Sequence, residues 1–96
     1  MLRITDIVWK ERVVEKLSEK HGVSVAEAEE ALLSRPVVRR IAKGRVRGED
    51  LYAALAQIET GRHLVVLFIY KKHGTALPIS ARDMNPSERR YYDRHK

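Results

Sequence analysis

The sequence predicts an α+β fold in which two N-terminal helices pack on a twisted antiparallel sheet of about four strands, with a C-terminal helix closing the chain. Three observations carry that prediction. Helical periodicity with capping signals fills the first third, β-rich runs joined by short turns fill the middle, and an Asn-Pro-x-Glu helix start stands near the end at Asn85–Glu88. With 96 residues, 44% of them hydrophobic, the chain supports one core and one domain, residues 1–96.

Ile4, Asp6 and Val8 alternate with Thr5, Ile7 and Trp9, which suits a brief first strand or an extended lead-in. From Glu11 to His21 the apolar residues Val13, Val14 and Leu17 share a helical face. Acids sit early in this stretch and Lys20 and His21 late, as the helix dipole favours, and Gly22 supplies a left-handed stop. Ser24 and Glu27 form a capping box for a second helix whose inward stripe is Val25, Ala28, Ala31 and Leu32. Pro36 ends it, and Val37, Val38 and Ile41 open a strand that closes toward Gly44 and Gly48. LYAALAQIE, RHLVVLFIYKK and TALPISARD follow, separated by turns at Thr60-Gly61 and His73-Gly74 that are too short for anything but antiparallel neighbours. Leu64–Tyr70 is apolar on both faces and reads as the central, doubly covered strand. Pro78 lacks a ladder donor, so it belongs at an edge or a bulge. Asn85 as N-cap, Pro86 as first helical residue and Glu88 three residues after the cap announce the last helix.

Composition excludes several chemistries. There is no cysteine, hence no disulfide, thiolate nucleophile or thiolate metal site. No stretch is long and apolar enough to span a membrane and the N-terminus lacks a signal core, so a cytoplasmic protein without membrane partners is expected. Histidines 21, 63, 73 and 95 lack zinc spacing, no acid cluster suits magnesium or calcium, and no GxxxxGK loop is present. Neither a metal nor a cofactor is expected.

The net charge of +6 is unevenly placed: residues 35–47 carry six bases and no acid, and residues 60–96 carry eight bases against three acids. Such a field suits RNA or an acidic protein partner, with a solvated surface as the alternative.

Particular elements resemble a known family. Lys20-His21-Gly22-Val23-Ser24 with Glu27 and Ala28 is similar to the KHGVSFEEA-type element of BrnT-like toxins. Gly48-Glu49 with Tyr52 resembles that family's GExRY element, and Ile79-Ser80-Ala81-Arg82 with Glu88-Arg89-Arg90 and Tyr92 resembles its ISAR…ERRxYE tail. The elements run in family order from about Trp9 to Tyr92. The resemblance implies a RelE-like ribonuclease that inhibits translation by cutting RNA, either free or as ribosome-associated mRNA. It also implies neutralisation by a cognate antitoxin that represses the operon, so direct DNA binding by this chain alone is not expected. The sequence departs from the family pattern where Lys10, Val13 and Leu17 replace an acid, a lysine and an asparagine, and where Leu51 and Leu77 replace arginines. Those departures keep a second reading open, a toxin-fold protein that binds antitoxin or RNA without cleaving it.

Metal-independent RNA cleavage needs a group to take the 2′-hydroxyl proton, cations around the phosphorane and a donor for the 5′-oxygen. Arg82, between the last strand and the last helix, is the candidate phosphate clamp, with an ion pair to Asp83 or Glu88 as the alternative. His21 titrates near neutral pH and is a candidate acid or base beside Lys20, though both also suit a helix C-terminus. Tyr92 is a candidate proton donor or base-stacking residue; it or Tyr91 also suits the core. Arg89, Arg90, Arg39, Arg40, Arg45 and Arg47 are the candidate RNA-binding residues, and Glu88 reads as a capping residue.

Overall fold

The computed structural model describes residues 2–45 and 48–96. Each helix forms where its local signals place it. Helix α1, Glu11–His21, stops because Gly22 adopts φ 60° and folds its N–H back to Ser18, while the Val23 N–H reaches Leu17. Helix α2, Val25–Leu33, starts on a reciprocal box. Ser24 Oγ accepts the Glu27 N–H at 3.1 Å, and Glu27 Oε1 accepts the Ser24 N–H at 2.9 Å. Helix α3, Pro86–His95, repeats the device with Asn85 and Glu88.

Four strands form the expected antiparallel meander: β2 Val37–Ala42, β3 Leu51–Gln57, β4 His63–Lys71 and β5 Thr75–Asp83. The sheet differs from expectation in having a fifth strand and a parallel pairing. The lead-in forms β1, Asp6–Ile7, parallel to β5, and the order is β1-β5-β4-β3-β2. The cause lies in long-range backbone pairing that no local pattern announces. The Thr5 N–H bonds the Gly74 carbonyl at 2.9 Å, the Val8 N–H bonds that of Ala76 at 3.0 Å, and Thr5 Oγ1 donates to the His73 carbonyl at 3.0 Å. Gly74 has φ 86°, and a Cβ there would stand 2.5 Å from Thr5 Oγ1, so only glycine lets the N-terminal segment approach.

Strand β4 is covered on both sides, as its unbroken apolar run predicts. Leu64, Val66 and Phe68 meet α1 and α2, together with Ala54 and Ala56 of β3. Val65 and Leu67 face the opposite way, where Ala53, Leu55, Tyr91 and Tyr92 complete a smaller core under α3. Fully burying a side chain such as Leu64 or Phe68 stabilises by roughly 1.5–3 kcal/mol, so this strand is the main source of cohesion. Pro78 sits at a bulge, since Leu67 pairs with Ser80 and Phe68 with Pro78, leaving Ile79 as the extra residue. The two faces thus differ in kind: α1 and α2 cap a broad core, and α3 lies over a small one bordered by charge.

Candidate functional site

The face under α3 gathers residues from four elements. Arg82 stands opposite Val65 in the β4–β5 ladder and therefore points toward α3. Its Nη1 and Nη2 donate to the two carboxylate oxygens of Glu88 at 2.6 and 2.8 Å, and Nη1 also approaches the Asp83 carbonyl at 3.3 Å. The pair is half-buried. The hydrogen bond from Arg82 holds the Glu88 carboxyl below its ordinary pKa, with the Asn85 N–H assisting, and Glu88 raises the Arg82 guanidinium in turn. Glu88 is therefore both cap and ion-pair partner, because the N3 position brings its carboxylate back over the end of β5.

Arg39 approaches the same place from β2. It stands opposite Ala53, shares that residue's face, and lies 4.4 Å over the Tyr91 ring, close enough for its charge to depress Glu88 further. His63, the first residue of β4, lies on the Val65 face and meets the Tyr92 ring edge-on at 5.8 Å. Lys96 Nζ lies 5.8 Å over the same ring. Desolvation lowers the His63 pKa, the charges of Arg89 and Lys96 lower it further, and Asp93 acts in the opposite sense. A neutral imidazole at pH 7 follows, which is the form that can accept a proton. Tyr91 stacks on His95 at 4.0 Å; His95 Nδ1 lies 2.7 Å from the Tyr91 carbonyl, which only accepts, so that nitrogen carries the proton.

His21 and Lys20 lie elsewhere. They end α1 on the opposite layer, where Arg62 ties that end to the sheet. Its Nη2 donates to the His21 carbonyl at 3.1 Å and Nη1 to the Gly22 carbonyl at 2.9 Å, while Nε meets Asp83 at 2.7 Å and Nη1 meets Glu27 at 3.3 Å. The hydrogen bond from Arg62 lowers the Asp83 pKa, and His21 contributes a smaller electrostatic effect. Since neighbouring strand residues alternate faces, Asp83 serves the α1–α2 side and Arg82 the α3 side. His21 and Arg82 thus flank the end of β5 from opposite faces.

The remaining cations are dispersed. Arg40 lies on the face opposite Arg39 and pairs with Asp50 at 3.4 Å; Arg89 pairs with Asp93 at 3.5 Å, and Arg90 is exposed on α3. Arg45 is exposed in the bend after β2, and Arg47 lies outside the described residues. Sequence reading missed Arg62 and His63. His63 was accessible in principle, because period two from Val65 puts it on the side that α3 covers. Nothing local to Arg62 announces its distant acceptors.

Among the described residues no group of His, Asp and Glu is arranged to hold a metal ion, and no helix is long and apolar enough to cross a membrane. Fold and site define a small basic α+β protein whose sheet carries a cationic face bearing an imidazole and phenols. Residues 9–88 match the family described as "Ribonuclease toxin, BrnT, of type II toxin-antitoxin system", and the chain belongs to that family. No curated protein matches it. The family consists of ribonuclease toxins that are paired with antitoxins.

Proposed function

We propose that the chain is a metal-independent endoribonuclease toxin whose reaction takes place on the face under α3, and that its fold is RelE-like. The juxtaposition of Arg82, Arg39, His63 and Tyr92 on one face supports this reading most directly. Glu88 holds Arg82 by its terminal nitrogens, which leaves the Nε edge for a phosphate oxygen. Arg39 adds a second cation beside it. Neutral His63 takes the 2′-hydroxyl proton, the 2′-oxygen attacks phosphorus, and the Tyr92 phenol protonates the departing 5′-oxygen, giving a 2′,3′-cyclic phosphate and a 5′-hydroxyl. His21, Lys20, Arg40, Arg45, Arg47, Arg89 and Arg90 attract the flanking RNA backbone. Cutting mRNA, on or off the ribosome, inhibits translation in the cytoplasm until the antitoxin intervenes.

A second reading, RNA or antitoxin binding without cleavage, is favoured by the bidentate grip of Glu88 on the Arg82 guanidinium. End-labelled single-stranded RNA incubated with the purified chain and a chelator separates the two. Cyclic-phosphate products that vanish with a folded Arg82→Ala variant support cleavage. Intact RNA with folded protein, with and without ribosomes, supports binding alone.

A further inference from the structure

Strand β2 is the outer strand of the sheet and pairs on one side only, with β3. Its register alternates its side chains between the two layers: Val38 and Arg40 lie on the α1–α2 face opposite Ala54 and Tyr52, and Val37 and Arg39 lie on the α3 face. Its exposure is high from Arg39 onward, and Ile41 is 48% exposed. An edge strand with unpaired backbone groups is a template for another extended chain unless it is short, covered or repelled. At six residues it is of ordinary length, and no backbone hydrogen bond among the described residues reaches its outer side.

Beside this edge runs a groove of about 950 Å³. Leu33, Pro36, Val38 and Tyr52 line it, and Arg3 and Arg35 are charged residues of its wall. Leu33 is the last residue of α2 yet is 60% exposed, an apolar side chain left without cover. The edge and the groove are contiguous through Val38, which belongs to both. The segment that supplies the edge and, through Arg35, Pro36 and Val38, part of the groove, residues 35–47, carries six bases and no acid.

We infer that the outer edge of β2, with the adjoining apolar groove, docks an acidic, extended segment of the antitoxin. The inference rests on the family's pairing with an antitoxin and names the surface. A strand added there satisfies the open ladder. An apolar side chain opposite Val38 enters the groove, and carboxylates opposite Arg39 and Arg40 meet the two guanidiniums on their separate faces. The backbone ladder and apolar floor favour a polypeptide over RNA, which has no use for either. A carboxylate drawn to Arg39 also competes for the cation that neighbours Glu88 and Tyr91, so docking at the edge reaches the α3 face.

The test uses the full chain, isotope-labelled, titrated with a synthetic peptide of about ten residues alternating Glu with Val, its Lys-for-Glu counterpart, and a short oligouridylate. The acidic peptide is expected to shift and protect amides of β2 and the groove, whereas the basic peptide leaves them unchanged. Leu33→Gln and Arg40→Glu, both at exposed positions, are each expected to weaken binding about tenfold. Peptide contacts confined to other surfaces, no binding, or affinity indifferent to both substitutions overturns the inference. An oligouridylate that occupies β2 while the acidic peptide does not assigns the edge to RNA and also overturns it. Leu33→Gln is expected to cut RNA as the wild type does, so loss of docking and loss of the ribonuclease reading are distinguishable.

Discussion

Arg62→Ala tests whether the junction of α1 and α2 is held to the sheet by a single guanidinium. Arg62 donates to two backbone carbonyls, those of His21 and Gly22, at the C-terminal end of α1, where carbonyls lack helical partners. It also engages the carboxylates of Asp83 and Glu27. Hydrogen bonds to charged groups contribute about 1.5–3 kcal/mol each when shielded, but Arg62 is 26% exposed and Asp83 62%. The carboxylates therefore return to water at little cost, and Glu27 keeps its bonds to Ser24. What is lost is chiefly the two carbonyl contacts, for which about 2 kcal/mol is a reasonable sum. In a chain of this size that lowers Tm by about 8–16 °C. Arg62→Lys keeps the charge but not the fork and is expected to recover less than half of the loss. Thermal unfolding followed by circular dichroism, with urea titration for the free energy, reads both. A Tm within about 3 °C of wild type for Arg62→Ala, or a lysine variant equal to wild type, refutes the argument.

Three further outcomes concern the α3 face and the two ion pairs at the end of β5. Glu88→Gln keeps the capping geometry but loses the charged partner of Arg82; RNA cleavage is expected to fall about tenfold in a protein that is still folded though less stable at pH 7, and faster cleavage would mean that Glu88 blocks the guanidinium rather than orienting it. His63→Gln is expected to lower kcat by about 10²-fold or more and abolish the acidic limb of the pH–rate profile, and Arg89→Gln to move that limb upward, because a nearby positive charge is removed. An unchanged limb in both excludes His63 as the base. For stability, the Glu88 and Asp83 carboxyls are depressed by Arg82 and Arg62, so their contribution is complete above the unfolded values of about 4 and is lost as pH falls through the lower folded ones. Urea titrations at pH 7 and pH 3 are expected to show a smaller acid loss in the Glu88→Gln variant; equal losses would assign acid sensitivity elsewhere.

Much of the fold was legible because its determinants are local. Gly22, the Ser24–Glu27 box and the Asn85-Pro86-x-Glu88 start each act within a few residues, and the unbroken apolar run of β4 reports its two covered faces directly. The parallel β1 was not legible as such, since Thr5 and Val8 find their partners some seventy residues away, at Gly74 and Ala76, through backbone atoms common to every sequence. The site was legible in part for the same reason. Arg82 and Tyr92 were within reach because a strand and a helix adjacent in sequence must meet. His63 and Arg39 enter from strands whose facing depends on where α3 lies, and that is a tertiary fact. His21 is a candidate only through a property common to every imidazole, which carries no information about the layer it occupies.

The strand alternation at the end of β5 separates stability from chemistry. Asp83 faces Arg62 and the α1–α2 layer, and Arg82, one residue earlier, faces Glu88 and the cluster under α3. Two ion pairs that are adjacent in sequence are thereby insulated by the sheet itself, so each can be altered while the other persists. The bulge at Ile79 sets this phase: it takes Ile79 out of the alternation, and a regular strand that included Ile79 would turn Arg82 toward α1 and Asp83 toward α3. The proposed reaction therefore depends on an irregularity in the ladder as much as on the identity of the arginine. Deleting Ile79 removes only the extra residue and leaves Arg82 opposite Val65 in a regular ladder, whereas inserting one residue between Ala81 and Arg82 is the way to exchange the two faces without changing any charged residue.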